Sequence, residues 1–231
     1  MNIAEKLTTI AENEKKVYDA GKQAQYDLFW DKFQQNGTRT NYSYAFANWV
    51  ECENIFYPKY DIKPVGSIAN MFNGFMSYVS LPAVCAKQGI VMDFSKVTSF
   101  SYFMYNYCAI WRLGVIDCSS TKSLSYAFAM ASSLTTIDKL ILHEGITSYT
   151  DCFTYVGNLK NITIEGTIAG NGFKVSDCNK LTHESLMSII NALKDYSGTT
   201  TTKTITLGST NLAKLTDAEK AIATEKGWTL A

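Results

Sequence analysis

Hydrophobic residues recur through the middle of the chain at a long and nearly regular interval. Five starting residues are spaced by 26, 32, 24 and 25 residues, and apolar residues follow each of them one, four, five and eight places later. The starting residues are Asn41, Ser67, Ser99, Ser123 and Ser148. These four offsets lie on one face of an α-helix. The pattern therefore predicts a short amphipathic helix at the start of each unit, with the fifth-place residues in one buried column.

Short runs rich in β-branched residues follow these segments. They are GVID (114–117), LIL (140–142) and ITI (162–164), which are too short for helices and typical of strands. The longest unit contains an insertion, PAVCAKQG (82–89), which we expect to form a loop. Units of one helix and one strand cannot bury their apolar faces alone, so they stack. The chain is therefore predicted to form an α/β repeat solenoid over residues 41–180.

The first 40 residues have a different pattern and predict an N-terminal helical segment (1–40). Apolar residues follow alternating four- and three-residue steps, interrupted at Glu14 and Gly21, which is a partial heptad seam. The seam positions are Ile3, Leu7, Ile10 and Val17, followed by Ala24 and Leu28. Two interpretations remain open: a coiled-coil stalk, or a cap that folds back onto the repeats through aromatic residues between 26 and 33.

Residues 181–231 are predicted to form a helix–strand cap. Thr182 is a helix N-cap signal before an amphipathic stretch, and Thr216 with Glu219 forms a capping box before a second helix. KTITLG (203–208) and WTLA (228–231) are predicted to form strands. Such an end covers the last apolar face of a repeat array.

Two resemblances extend these predictions. The run from Met92 to Leu142, with its strand ending in Asp-x-Ser and a central aromatic, resembles the BspA-type leucine-rich repeats of bacterial surface proteins. That resemblance implies a leucine-rich-repeat-like fold and a role in binding or adhesion. The N-terminal run TIAENEKKVYDAGKQAQYDLFWDKFQQNG is similar to the start of proteins of gut-bacterial phages and prophages. It implies a virion protein, and we then expect self-association through Ile3, Leu7, Ile10 and Val17 as a homotrimer.

Charge and cysteine content exclude several classes of protein. Lysine plus arginine and aspartate plus glutamate both number 21, which argues against nucleic-acid binding and against a polybasic membrane binder. No apolar run is long enough to span a bilayer, so membrane insertion is not expected. The six cysteines lack zinc-site spacing and are expected to be free thiols, with a disulfide or metal role as the alternative. Asp61, Asp93 and Asp117 are expected in turns, with calcium binding as the alternative.

No catalytic motif is visible, and the two histidines, His143 and His183, come from unrelated segments. Tyrosines recur beside the predicted core stripe at Tyr44, Tyr102 and Tyr126. They are candidate ligand-binding residues, because tyrosine offers contact area at low entropic cost. The alternative is that each ring only packs on its neighbouring repeat. We expect no metal and no cofactor.

The leading functional hypothesis is a non-catalytic tail or fibre protein of a phage or prophage virion. Its partners would be a protein or a cell-surface glycan, and other virion proteins. The alternative is a bacterial cell-surface adhesin of the same fold, which would require an export or anchor sequence that is not visible here. A glycan-active enzyme is the third hypothesis, and it lacks convergent carboxylates. The expected location is the virion, or the cytoplasm if the protein is not phage-encoded.

Overall fold

The structure is a computed structural model that describes residues 3–49 and 58–231, without the side chains of 3–11 and 14–18. In this part of the chain there are five α-helices: α1 (Ile3–Phe33), α2 (Leu81–Gln88), α3 (His183–Asn191), α4 (Ser209–Leu212) and α5 (Asp217–Glu225). A 3-10 turn at Gln35–Gly37 follows α1. The strands are β1 (Gly66–Ser67), β2 (Val97–Ser99), β3 (Arg112–Asp117), β4 (Thr136–Leu142), β5 (Asn161–Gly166), β6 (Lys203–Ile205) and β7 (Trp228–Leu230).

All of the strand pairs among the described residues are parallel, and they form three separate sheets. Strands β1 and β2 make the first sheet, β3, β4 and β5 the second, and β6 and β7 the third. In the central sheet Leu113 lies opposite Ile137, and Ile137 lies opposite Ile162. The side chains of all three are buried. The strands predicted from GVID, LIL and ITI are therefore confirmed.

The predicted α/β repeat solenoid, with a leucine-rich-repeat-like helix and strand in each unit, is wrong. The described residues instead form a small α/β domain with five α-helices and three separate parallel sheets. The predicted short helices are runs of turns, which we call rows 1 to 5 (residues 41–49, 67–75, 99–107, 123–131 and 148–156). The insertion predicted to be a loop is helix α2, capped by the Ser80 side chain and by left-handed Gly89.

The backbone of the rows explains why the predicted helices do not form. In row 4 the φ angle is 55° at Tyr126 and 60° at Met130, in the left-handed region. The N–H of Ala127 donates back to Leu124 at 3.0 Å, whereas the N–H of Phe128 donates to Cys152 in row 5 at 3.0 Å. A helix would bond its N–H groups, apart from those of its first turn, to carbonyls within its own segment. The rows bond alternate N–H groups to the next row, and this arrangement buries the same apolar offsets as a helix.

The predicted core column is buried in all five rows. Its members are Phe46, Phe72, Met104, Phe128 and Phe153. The rings of Phe46 and Phe72 stack at 5.2 Å, and those of Phe128 and Phe153 at 5.1 Å. One predicted core residue, Tyr107, is instead 64% exposed, and Cys108 is buried in its place. Asn106 and Tyr107 both have positive φ, so an extra left-handed residue shifts the end of row 3 by one place.

The two ends of the chain cover the rows differently. Helix α1 runs through Gly21 without a break, and the side chains of its last turns pack on row 1, where Trp30 stacks on Trp49 at 5.8 Å. This aromatic packing is what the cap interpretation expects of that end. At the other end the Thr182 cap of α3 and the Thr216–Glu219 capping box of α5 are both present as predicted.

Candidate functional site

The candidate site lies on the outer surface of the rows, three places after the start of each row. The five residues there are Tyr44, Asn70, Tyr102, Tyr126 and Asp151, which we call the outer line, and their φ angles lie between 48° and 58°. Asparagine and aspartate tolerate this left-handed conformation, whereas bulky residues adopt it rarely. Local backbone preference therefore does not account for the three tyrosines, and backbone outliers of this kind often accompany functional surfaces.

Hydrogen bonds between the rows hold the outer line in register. The N–H of Tyr44 donates to Ala69 at 3.0 Å, and that of Asn70 donates to Ser101 at 3.2 Å. The N–H groups of Tyr102 and Tyr126 continue the series into rows 4 and 5, at 3.1 and 2.8 Å. Each outer-line residue therefore leaves the backbone at an equivalent position, one row beyond the last.

The structure brings two of the three candidate tyrosines together. The rings of Tyr102 and Tyr126 stack with centroids 5.0 Å apart and planes 3° apart. Tyr105, which the sequence did not single out, stands edge-on to both rings at 5.2 and 6.4 Å. Tyr44 is separated from the pair by Asn70 and is 65% exposed. The three rings in rows 3 and 4 form one aromatic cluster, while Tyr44 stands apart.

A carboxylate and a row of hydroxyls border the aromatic cluster. Hydrogen bonding to Asp151 raises the pKa of the Tyr126 hydroxyl, and Asp151 also accepts a hydrogen bond from Thr154 at 3.0 Å. Hydroxyl groups one and three residues before the outer line form a chain of contacts of 2.6 to 3.5 Å through rows 3 to 5. The chain comprises Ser99, Ser101, Ser123, Ser125, Ser148 and Thr150. These bonds fix the backbone that presents the tyrosines.

A cleft of about 670 Å³ opens beside row 1 and is lined by several lysine and arginine side chains. Lys59 pairs with Asp31 at 2.8 Å, and Lys63 pairs with Asp61 at 2.7 Å. The guanidinium of Arg39 lies 4.3 Å from the centroid of the Phe33 ring and donates to two backbone carbonyls. These cations hold α1 and the loops together, so the cleft is a weaker candidate site than the outer line.

The histidines and the turn aspartates have structural partners. The Nε2 atom of His143 lies 2.7 Å from a backbone carbonyl oxygen, and that of His183 lies 2.7 Å from Glu219. Asp93 and Asp117 accept backbone N–H bonds at 2.9 and 2.8 Å, in the turns where they were expected. No cluster of three or more potential metal ligands occurs within residues 3–49 and 58–231.

The five cysteines in the described part of the chain are free thiols. Cys52 lies outside the described residues. Burial raises the pKa of the Cys108 thiol to about 12, and it raises the pKa of Cys178 to a similar value. Both thiols therefore remain protonated at neutral pH and are unreactive.

The predicted self-association residues fall where the side chains are not described. Helix α1 carries Ile3, Leu7, Ile10 and Val17, but their side chains lie outside the described residues. Leu28, on the same predicted seam, is 71% exposed. The stalk interpretation therefore stays a prediction for this part of the helix.

Comparisons with known proteins add no assignment. No family model, curated protein or solved structure matches this chain. The resemblance to BspA-type repeats and to phage proteins therefore stays an expectation. Among the residues that the structure describes, no helix has both the length and the apolar character needed to cross a membrane.

Proposed function

We propose that the protein is a non-catalytic binding protein whose recognition surface is the outer line. The observation that supports this most directly is the stacked pair of Tyr102 and Tyr126, held in register on a left-handed backbone. A rigid tyrosine surface loses little side-chain entropy on binding and offers both a ring and a hydroxyl to a partner. The candidate partners are a protein or a cell-surface glycan.

Binding accounts for this surface better than catalysis does. Glycan hydrolysis typically requires two carboxyl groups that face one substrate. The outer line contains only one carboxylate, Asp151, and that group is engaged by Tyr126 and Thr154. Because the remaining members are tyrosine and asparagine, the surface can stack and hydrogen-bond without supplying an acid–base pair.

The binding proposal is tested with an array of bacterial surface polysaccharides and purified surface proteins. The Tyr102→Ala/Tyr126→Ala double variant should lose at least tenfold in affinity for whatever component the unaltered chain binds, since both rings are removed. Tyr155→Ala is the matched control, because Tyr155 is an equally left-handed tyrosine that is 70% exposed but lies off the outer line. Equal binding by the double variant and the unaltered chain would refute the proposal.

The virion location and the homotrimer are further parts of the proposal. The similarity of the N-terminal segment to phage proteins supports the location, and detection of the chain in purified particles tests it. For assembly, light scattering should give a trimer mass for the full chain and a monomer mass for Ile10→Glu/Val17→Glu. Thr9→Glu lies off the seam and should remain a trimer. A monomeric full chain would leave only the cap interpretation of α1.

A further inference from the structure

The outer line is interrupted at one position. Row 2 contributes Asn70, a short side chain, between the tyrosines of rows 1 and 3. The hydrogen bonds from Tyr44 to row 2 and from Asn70 to row 3 show that no row is skipped. Tyr44 and Tyr102 therefore leave the backbone two rows apart, and only the short side chain of Asn70 lies between their positions, which leaves an opening in the outer line.

The row spacing sets the width of this opening. Rings in adjacent rows, Tyr102 and Tyr126, lie 5.0 Å apart, which is close to the usual strand spacing. Positions two rows apart are therefore separated by about 10 Å. A flat aromatic ring sandwiched at van der Waals distance would require about 7 to 8 Å between the two walls. A chair-shaped pyranose is thicker because of its axial hydrogens, and requires about 9 Å.

The floor of the opening carries paired amides. Asn73 Nδ2 donates to Asn70 Oδ1 at 2.7 Å, which fixes the orientation of both side chains. This bond leaves the side-chain amide protons of Asn70 and the side-chain oxygen Oδ1 of Asn73 without a partner among the described residues. One donor and one acceptor side by side complement vicinal hydroxyl groups, each of which can both donate and accept.

The described row segments that border the opening carry no charged side chain. None of residues 43–48, 69–74 and 101–106 is acidic or basic. An anionic ligand would find no cation here to offset its desolvation, and a cationic ligand would find no carboxylate. An uncharged, polyhydroxylated ligand fits the walls and the floor.

We propose that this opening, formed by Tyr44, Asn70, Asn73 and Tyr102, binds one pyranose unit of an uncharged glycan. The sugar ring stacks between the two tyrosines, and two of its hydroxyls hydrogen-bond to the asparagine amides. The inference rests on the proposed function of the outer line and names the ligand class and the subsite. A nucleobase or an aromatic peptide side chain would be too thin to contact both walls.

The sharpest test fills the opening with a fourth outer-line tyrosine. The Asn70→Tyr variant should be accommodated, since the φ of Asn70 is 58° and the outer-line tyrosines have φ angles of 55° to 58°. The added ring would continue the stack and occupy the sugar position. The probes are the methyl glycosides of glucose, galactose and mannose, titrated while the side-chain amide signals of Asn70 and Asn73 are followed by NMR in the unaltered chain.

At least one neutral glycoside should shift both amide signals. Its affinity, followed through the backbone amides of rows 1 to 3, should fall at least tenfold in Asn70→Tyr and in Tyr44→Ala, while Tyr155→Ala binds as before. An unchanged thermal unfolding midpoint would show that each variant folds. Tyr44→Ala removes one wall without adding bulk, so it keeps the test decisive if Asn70→Tyr does not fold.

The outcomes separate this inference from the proposal on which it rests. Unchanged binding in Asn70→Tyr would overturn the pyranose subsite, and so would adenosine binding that displaces the glycoside from the same amides. The absence of any shift with neutral glycosides would also overturn it. If the Tyr102→Ala/Tyr126→Ala variant still loses polysaccharide or protein binding in those cases, the outer line remains the recognition surface. If that variant also binds normally, both proposals fail.

Discussion

The turn rows and the helices of the C-terminal region differ in where their backbone N–H groups find hydrogen-bond partners. In α5 the capping residue is three places from its partner, with the Thr216 hydroxyl accepting from the Glu219 N–H at 3.3 Å. In row 4 the Tyr126 N–H donates at 2.8 Å to Thr150, which is 24 residues further along the chain. Local bonds are specified by neighbouring residues, whereas bonds between rows exist only when the rows are stacked.

This difference separates two kinds of surface. The helices of the C-terminal region bond their N–H groups to carbonyls within the same helix, and all of their residues have ordinary right-handed backbone angles. Each row instead has left-handed residues at two positions four places apart, such as Tyr126 and Met130, and the outer line is the first of these positions in every row. A binding surface made of Tyr44, Asn70, Tyr102 and Tyr126 is therefore a consequence of the row backbone. The C-terminal region has no equivalent line.

The largest expected effect comes from removing a core ring that is shared between rows. Phe128 is buried, stacks on Phe153 at 5.1 Å and lies edge-on to Phe103 at 6.3 Å. Phe128→Ala should lower the free energy of unfolding by about 3–5 kcal/mol, measured by chemical denaturation. Tyr155→Ala, an exposed ring, should cost no more than about 0.5 kcal/mol. A loss below about 1 kcal/mol for Phe128→Ala would show that the rows are not in this register.

A second prediction compares how glycine, relative to alanine, changes the free energy of unfolding in a row and in a C-terminal helix. Tyr155 has a φ of 59°, so glycine there should be more stable than alanine, by about 1 kcal/mol, since no Cβ is strained. Ala221 lies inside α5, where Ala221→Gly should cost about 1 kcal/mol. Chemical denaturation of Tyr155→Gly, Tyr155→Ala and Ala221→Gly measures both differences. The same sign at the two sites would contradict a left-handed row position.

The smallest expected effect depends on pH and belongs to the local cap. The N–H and hydroxyl of Thr216 donate to the Glu219 carboxylate at 2.7 and 2.9 Å and hold its pKa below the ordinary value of 4.5. The ionised carboxylate therefore stabilises the fold above pH 4.5, and this contribution is lost as the pH falls through the lowered pKa.

Thermal unfolding of the unaltered chain and of Glu219→Gln at several pH values measures this contribution. The unaltered chain should be more stable at neutral pH, and the difference should shrink in acid. A difference that is independent of pH would contradict an ionised cap.

The sequence predicted the parts of the fold that depend on local signals or on burial. Thr182, Thr216 and Glu219 act within one turn of their helices, so their roles follow from spacing alone. The burial of Phe46 and Phe128 follows from the spacing of apolar residues, and this spacing predicts burial whether the backbone is a helix or a run of turns. Helix α2 was missed although Ser80 and Gly89 are ordinary cap residues, because the segment was interpreted only as an insertion.

The row backbone and the candidate site could not be predicted in the same way. Apolar offsets of one, four, five and eight suit a helix and a run of turns alike. Asn48, Asn70 and Asp151 are residues that favour left-handed positions, but Tyr102 and Tyr126 at equivalent places conceal that signal. The opening at Asn70 became visible only when the hydrogen bonds had placed the rows in order. Tyr105 was missed because its edge-on contact with Tyr102 is a tertiary feature.

The most direct test of this account is a measurement of φ along the outer line in solution. Three-bond couplings and backbone chemical shifts of an isotope-labelled chain give φ for Tyr44, Asn70, Tyr102, Tyr126 and Asp151. The account predicts positive values near 48° to 58° at all five, with residues on either side right-handed or extended. Negative, helical φ values at these five residues would contradict it, because the outer line and the opening at Asn70 would then not exist.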